Sequence, residues 1–160
     1  MISLIGLFTL LPVVLEERGL PRAGELVSFM MMSSVIFNVV GGTLSDKFGR
    51  RKPFLVIPAL IAGICIPGFA AFEGIPLVAV LVVTGAAMGT LAPIMFAIPV
   101  EMAQIGPALS GTAVGVILMI GNSGGFVGPA VAGKLMDAAG SPCPGFIFMA
   151  AAFLIAAIFD

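Results

Sequence analysis

Histidine, tryptophan and tyrosine are absent from this chain of 160 residues, cysteine occurs only twice, and charged residues make up just 9%. Each scarcity excludes something. Without histidine there is no Ser-His or Cys-His dyad and no imidazole ligand for a metal. Cys65 and Cys143 stand far apart in apolar or loop context with no metal-ligand spacing, so no metal site and no cofactor is expected. The missing tryptophan and tyrosine remove the usual aromatic belt at a membrane interface. No phosphate-cradling glycine loop of the P-loop type is present, which argues against ATP-driven chemistry. The stretch Gly121-Asn122-Ser123-Gly124-Gly125 fits a nucleophile-elbow spacing. It lies in an apolar run, however, with no histidine anywhere to serve as its base. No enzymatic activity and no nucleic-acid partner are expected.

The shortage of charge is the most consequential of these. A water-soluble domain carries about 25% charged residues. This chain is 60% hydrophobic, with a mean hydropathy of +1.24, and cannot cover its surface with polar groups. Its solvent is therefore largely lipid. Crossing the hydrocarbon takes about 20 apolar residues as a helix, and residues 26–45, 54–72, 76–99 and 110–134 qualify. Helix is the economical answer because lipid cannot satisfy a bare backbone, and the runs lack the alternation of barrel strands. Two shorter runs, 2–15 and 146–159, read as spanning helices cut by the chain ends. The fold class is thus all-α and polytopic: one domain of six transmembrane helices with truncated end helices, expected to be a fragment of a longer protein.

Charge that does exist is concentrated. Asp46-Lys47-Phe48-Gly49-Arg50-Arg51-Lys52-Pro53 holds five charges in eight residues. Basic residues in short loops favour the cytoplasmic side, which places this loop and both termini there, in a multi-pass protein of the plasma or bacterial inner membrane. Asp46 would sit at the negative end of its own helix, an unfavourable place unless something positive faces it. Gly49 suits a left-handed residue that stops a helix, and Pro53 suits the first turn of the next. Arg50, Arg51 and Lys52 then stand at a helix N-terminus, a placement that suggests phosphate head groups, control of topology or an acidic partner.

Glycine and proline recur inside the spans. Gly85-x-x-x-Gly89, Gly111-x-x-x-Gly115, Gly121-x-x-x-Gly125 and Gly124-x-x-x-Gly128 have the spacing that lets membrane helices touch closely. No Asp, Glu, Lys or Arg lies near the middle of a span, so this chain offers no obvious intramembrane proton carrier. Glu101, at a helix end, is the nearest. Asn38, Thr84, Asn122 and Ser123 are the polar candidates for lining a cavity, with interhelical hydrogen bonding as the competing role for each.

The run Gly42-Thr43-Leu44-Ser45-Asp46-Lys47-Phe48-Gly49-Arg50-Arg51-Lys52 resembles, without departure, the loop signature of the major facilitator superfamily. The resemblance covers the whole chain as one six-helix half. It implies a secondary transporter of two such halves around a central cavity, working by alternating access. It also implies that Asp46 meets the N-terminal end of a helix in the opposite half when the cytoplasmic side is shut. A second pattern, Gly115, Gly124, Gly128-Pro129 and Ala132-Gly133, resembles the helix-flexing Gly-Pro motif of drug/proton antiporters in that superfamily. It departs once, at Ala132, where the motif has glycine. The fourth span lacks the arginine found there in many first halves, and the last two spans look like the end of the second half. The chain is therefore expected to be a C-terminal half. Its expected partners are the lipid bilayer, the other six-helix half or a second copy, and a small solute whose identity is not readable. The competing function is a non-transporting six-helix subunit that assembles with partner chains.

Overall fold

The computed structural model describes residues 2–19, 22–49, 51–101 and 106–159, and among them the chain is helical with no strand. The helices are α1 (Ile2–Glu17), α2 (Ala23–Phe48), α3 (Arg51–Cys65), the single turn α4 (Gly68–Ala71), α5 (Gly74–Glu101), α6 (Gly106–Ala139) and α7 (Cys143–Phe159). Among the described residues four segments are long and apolar enough to cross a membrane: Ala23–Phe48, Lys52–Ala71, Gly74–Ala97 and Gly111–Ala139. They coincide with the four long runs anticipated from hydropathy. At about 1.5 Å per residue, α1 and α7, with 16 and 17 residues, fall a little short of a hydrocarbon core of about 30 Å.

The helices overrun their apolar cores, because charged residues at the ends continue the backbone hydrogen bonding. α2 takes in Glu25 and Lys47, and α6 runs on to Ala139. The span expected over 54–72 is not one uninterrupted helix. Pro67 has no N–H to donate. The Ile66 N–H still reaches the Ala62 carbonyl at 3.0 Å, but the Phe69 N–H then bonds the Ile66 carbonyl at 3.1 Å and the Ala70 N–H the Pro67 carbonyl at 3.2 Å. One turn of tighter i→i−3 bonding thus carries the chain past the proline into α4.

α2 lies along α5, which also rests against α3; α3 meets α7, and α1 lies along α6, beside α7. α2 and α3 both sit on α5 but touch each other little. Fully buried side chains at the junctions include Leu7, Leu11 and Leu15 of α1, Met30 of α2, Phe69 of α4, Leu81 and Met88 of α5 and Phe146 of α7. The Phe69 and Phe146 rings meet edge to face, 5.8 Å between centroids, a favoured aromatic arrangement. Lipid tails are as apolar as leucine, so such a core gains from close fit rather than from excluding water.

Burial is uneven. Half of the α5 span is buried (50%), against 22% of α2 and 11% of α6. α2 and α6 therefore turn most of their surface away from the bundle. Arg18 links the ends of the helices: its guanidinium bonds the Phe69 carbonyl and the carboxylate of Glu73. The α1–α2 and α4–α5 connections consequently share one end of the bundle. The turn at Gly49 lies at the other end of α2.

Candidate functional site

The charged turn between α2 and α3 is built as its residue types dictate. Gly49 adopts φ 62°, ψ 14°, and its N–H closes the helix on the Ser45 carbonyl at 3.0 Å. A Cβ at Gly49 would meet nothing within 4 Å, so glycine is needed here for its left-handed backbone and not for space. Phe48 and Phe54 bring their rings to 6.0 Å across the turn. Asp46, Lys47 and Lys52 are exposed, whereas Ser45 is fully buried. Arg51 begins α3. Arg50 lies outside the described residues.

Above the turn, two adjacent glycines do different things. A Cβ on Gly41 would sit 2.7 Å from Thr90 Cγ2 and 2.8 Å from Thr90 Cα, while one on Gly42 would be 3.5 Å from Pro93 Cβ. Gly41, outside the resemblance pattern, lets α2 and α5 touch. Gly42, inside it, has room to spare. The same seam continues at Gly85 and Gly89 of α5, whose backbones abut Met30, Ser33 and Ser34. The small-residue spacing read from α5 is therefore helix packing.

The Gly-Pro residues all fall on α6. Pro129 lies within the helix, against Gly6 of α1, where an added Cβ would be 3.6 Å from Pro129 Cδ. Gly128 is buried and Gly124 half-buried. Gly115 and Gly133 have open space beside them. The pattern thus spans both faces of α6: part of it touches α1, and part is turned outward.

The four polar cavity candidates separate as well. Asn38 on α2 and Asn122 and Ser123 on α6 are exposed, on the two least buried long helices. The Ser123 hydroxyl donates back to the Met119 carbonyl at 2.8 Å. Thr84 is fully buried, its hydroxyl donating to the Val80 carbonyl at 2.8 Å. It lies inside this bundle on α5, the helix that packs against α2, α3, α4 and α6. Among the described residues no group of three or more His, Cys, Asp or Glu is placed to hold a metal.

Two residues escaped the sequence reading. The buried Ser33 hydroxyl lies 2.9 Å from both the Met30 carbonyl of its own helix and the Val82 carbonyl of α5. Nothing in a single sequence says that α5 lies opposite. Arg18, legible in the sequence only as a loop charge, places its guanidinium 2.6 Å from the Phe69 carbonyl and 3.1 Å from a Glu73 carboxylate oxygen. A cation on carbonyls at the end of α4 has the favourable sign for the helix dipole.

Comparison with known proteins accords with this architecture. The family model of the Major Facilitator Superfamily matches residues 1–159. Two curated proteins of Agrobacterium vitis, each named "Putative tartrate transporter", are 32% and 31% identical over 161 and 164 residues. Each alignment covers 96% of this chain but only 35% and 36% of the relative. The chain thus spans about a third of the length of the curated relatives it matches. No solved structure matches it.

Proposed function

The chain belongs to the Major Facilitator Superfamily, and from that premise we propose that it forms one six-helix half, the C-terminal one, of a secondary transporter working by alternating access. The observation that carries this reading is the turn between α2 and α3. The pattern from Gly42 to Lys52 falls on a helix end, with Gly49 left-handed at the stop and Asp46 and Lys47 exposed beside it. In this reading Asp46 faces the positive N-terminal end of a helix in the opposite half when the cytoplasmic side is closed. The open faces of α2 and α6, with Asn38, Asn122 and Ser123, turn toward the solute path. Both termini and the basic loop are cytoplasmic, and the protein resides in the plasma or inner membrane.

The relatives' name supports a small hydroxylated dicarboxylate such as tartrate as the solute. With no basic residue near the middle of any span, the counter-charge comes from the other half. Gating by Asp46 rests on a charge–dipole term of about 0.3–1 kcal/mol, up to about 2 when partly buried. Asp46→Asn in the complete transporter is therefore expected to shift the population toward the inward-open state several-fold without loss of membrane insertion. Reactivity of single cysteines at the cytoplasmic end reads that shift, and unchanged reactivity removes the gating role.

Function is tested in proteoliposomes with this chain alone and with the chain joined to a first half from a relative. Saturable uptake of labelled tartrate, competed by the unlabelled acid and seen only with the joined protein, supports the proposal. Uptake by the isolated chain as a monomer overturns the half-transporter reading. A joined protein that inserts and folds but moves no solute favours the non-transporting subunit.

A further inference from the structure

The chain contains two asparagines, Asn38 and Asn122, and each falls near the middle of a long helix, α2 and α6 respectively. α2 begins at the Arg18 end of the bundle. α6 finishes at that same end, where Val14 and Arg18 line one hollow with Asp137 and Gly140. At about 1.5 Å per residue, Asn38 lies about 22 Å along α2 from this end and Asn122 about 26 Å along α6. The two amides therefore share a level. It is close to the midplane depth at which secondary transporters hold their solutes.

Hydroxyls on the same open surfaces satisfy themselves. Thr9, Ser28, Thr43 and Ser123 each donate to a carbonyl one turn earlier in their own helix, at 2.8–2.9 Å. The asparagines do not. Both side chains are exposed, and neither has a hydrogen-bond partner among the described residues. An amide left bare in hydrocarbon is costly, so each must meet something polar in the assembled protein. Gly115, two turns from Asn122 on the same face, has nothing within 4 Å of where a Cβ would stand. The approach along α6 is unobstructed.

We infer that Asn38 and Asn122 are specificity-determining residues that read the hydroxyl groups of the solute, and so select a hydroxylated acid over a plain dicarboxylate. The inference rests on the transporter reading for the identity of the solute, not for the site. A side-chain amide donates through its NH2 group and accepts through its carbonyl. A hydroxyl also does both, so amide and hydroxyl satisfy each other. A carboxylate only accepts, and would leave the amide carbonyl unpaired. The amides are neutral and cannot supply a counter-charge. Recognition is thus divided: this half reads the hydroxyls, and the other half holds the carboxylates.

Competition in the joined transporter tests this. Labelled tartrate is displaced by unlabelled tartrate, malate or succinate, which carry two, one and no hydroxyls. Each missing hydroxyl is expected to weaken competition about two- to twelvefold. Asn38→Ala with Asn122→Ala should raise the KM for tartrate about tenfold, with kcat little changed, and bring the three acids to within about twofold of one another. An equal loss for all three acids overturns the inference, and so does discrimination that survives both changes. A second readout needs no transport. Val35→Cys and Met119→Cys place thiols at exposed positions, one turn from Asn38 and Asn122, in a background of Cys65→Ser and Cys143→Ser. A water-soluble thiol reagent should label both in the joined protein. Tartrate, but not succinate, should slow the labelling, and the effect should vanish without the asparagines. Thiols that stay unreactive assign these faces to lipid or to contact between the halves, and overturn the inference. Labelling that the two acids slow alike, or that neither slows, also overturns it. Selective slowing by tartrate in a protein that moves no solute upholds the asparagine site and removes the transporter reading.

Discussion

Gly41 and Gly42 are chemically identical neighbours that the bundle treats differently, and replacing each with alanine separates packing from pattern. A methyl on Gly41 would lie 2.7 Å from Thr90 Cγ2, 2.8 Å from Thr90 Cα and 2.9 Å from Thr90 Cβ. Carbon atoms sit comfortably at about 3.5–4.0 Å, so α2 and α5 must part by several tenths of an ångström. The Thr90 Cα belongs to the backbone and cannot swing aside. Overpacking of this kind costs about 1–3 kcal/mol, and the upper part of that range applies. The gain in helix propensity from glycine to alanine returns about 1 kcal/mol. Gly41→Ala is therefore expected to destabilise by about 1–2 kcal/mol. At Gly42 the nearest atoms, Pro93 Cβ and Cγ, stand at 3.5 and 3.6 Å, which is ordinary van der Waals separation, and Gly42→Ala should be neutral or up to about 1 kcal/mol stabilising. Unfolding in mixed micelles, followed by circular dichroism, measures the difference. Adding Thr90→Ala should restore only part of the loss at Gly41, since the new methyl still presses on the backbone of residue 90. Equal effects at the two positions, or a larger loss at Gly42, would refute the packing argument.

Two further outcomes follow from the helix ends. Arg18→Gln removes a charge-assisted bond to the Phe69 carbonyl and should cost about 1.5–3 kcal/mol. Glu73→Gln, at a side chain 70% exposed, should cost less than about 1 kcal/mol; the same micelle unfolding ranks the pair, and equal losses would show that the ion pair, not the bond to the carbonyl, matters. Gly49→Ala places a Cβ on a left-handed residue and should cost about 1–2 kcal/mol, with Gly49→Asn milder; a neutral Gly49→Ala in that assay would contradict the stop geometry at the end of α2.

What was legible in the sequence follows from what lipid enforces locally. Long uncharged runs can only be helices, so the four long spans emerged from hydropathy alone. Gly49 was legible for a similar reason: a helix that must stop before a cluster of charge needs a residue free to turn left-handed. The packing of helix on helix was not legible, because it depends on which helix lies alongside. Ser33 finds the Val82 carbonyl, and Gly41 the backbone of Thr90, only once α2 lies on α5. Thr84 carries the same hydroxyl as any cavity threonine, and its burial on the central helix is a property of the assembly. The break at Pro67 was readable in principle from the missing N–H, but proline is so common within these spans that its presence alone does not say which one interrupts a helix.

The lopsided hold on α6 has a bearing on how such a protein diversifies. Gly125, Gly128 and Ala132 are buried positions on one edge of it, while Met119, Asn122 and Phe126 are exposed. Replacements at the exposed positions alter what the helix offers to its surroundings and ask nothing of its neighbours. New side-chain chemistry can therefore be sampled along α6 one residue at a time, through intermediates that all keep the bundle intact. Along α5, half of whose span is buried, fewer positions are free in this way. Inventiveness in this bundle is confined to its loosely held helices by the mechanics of the rest.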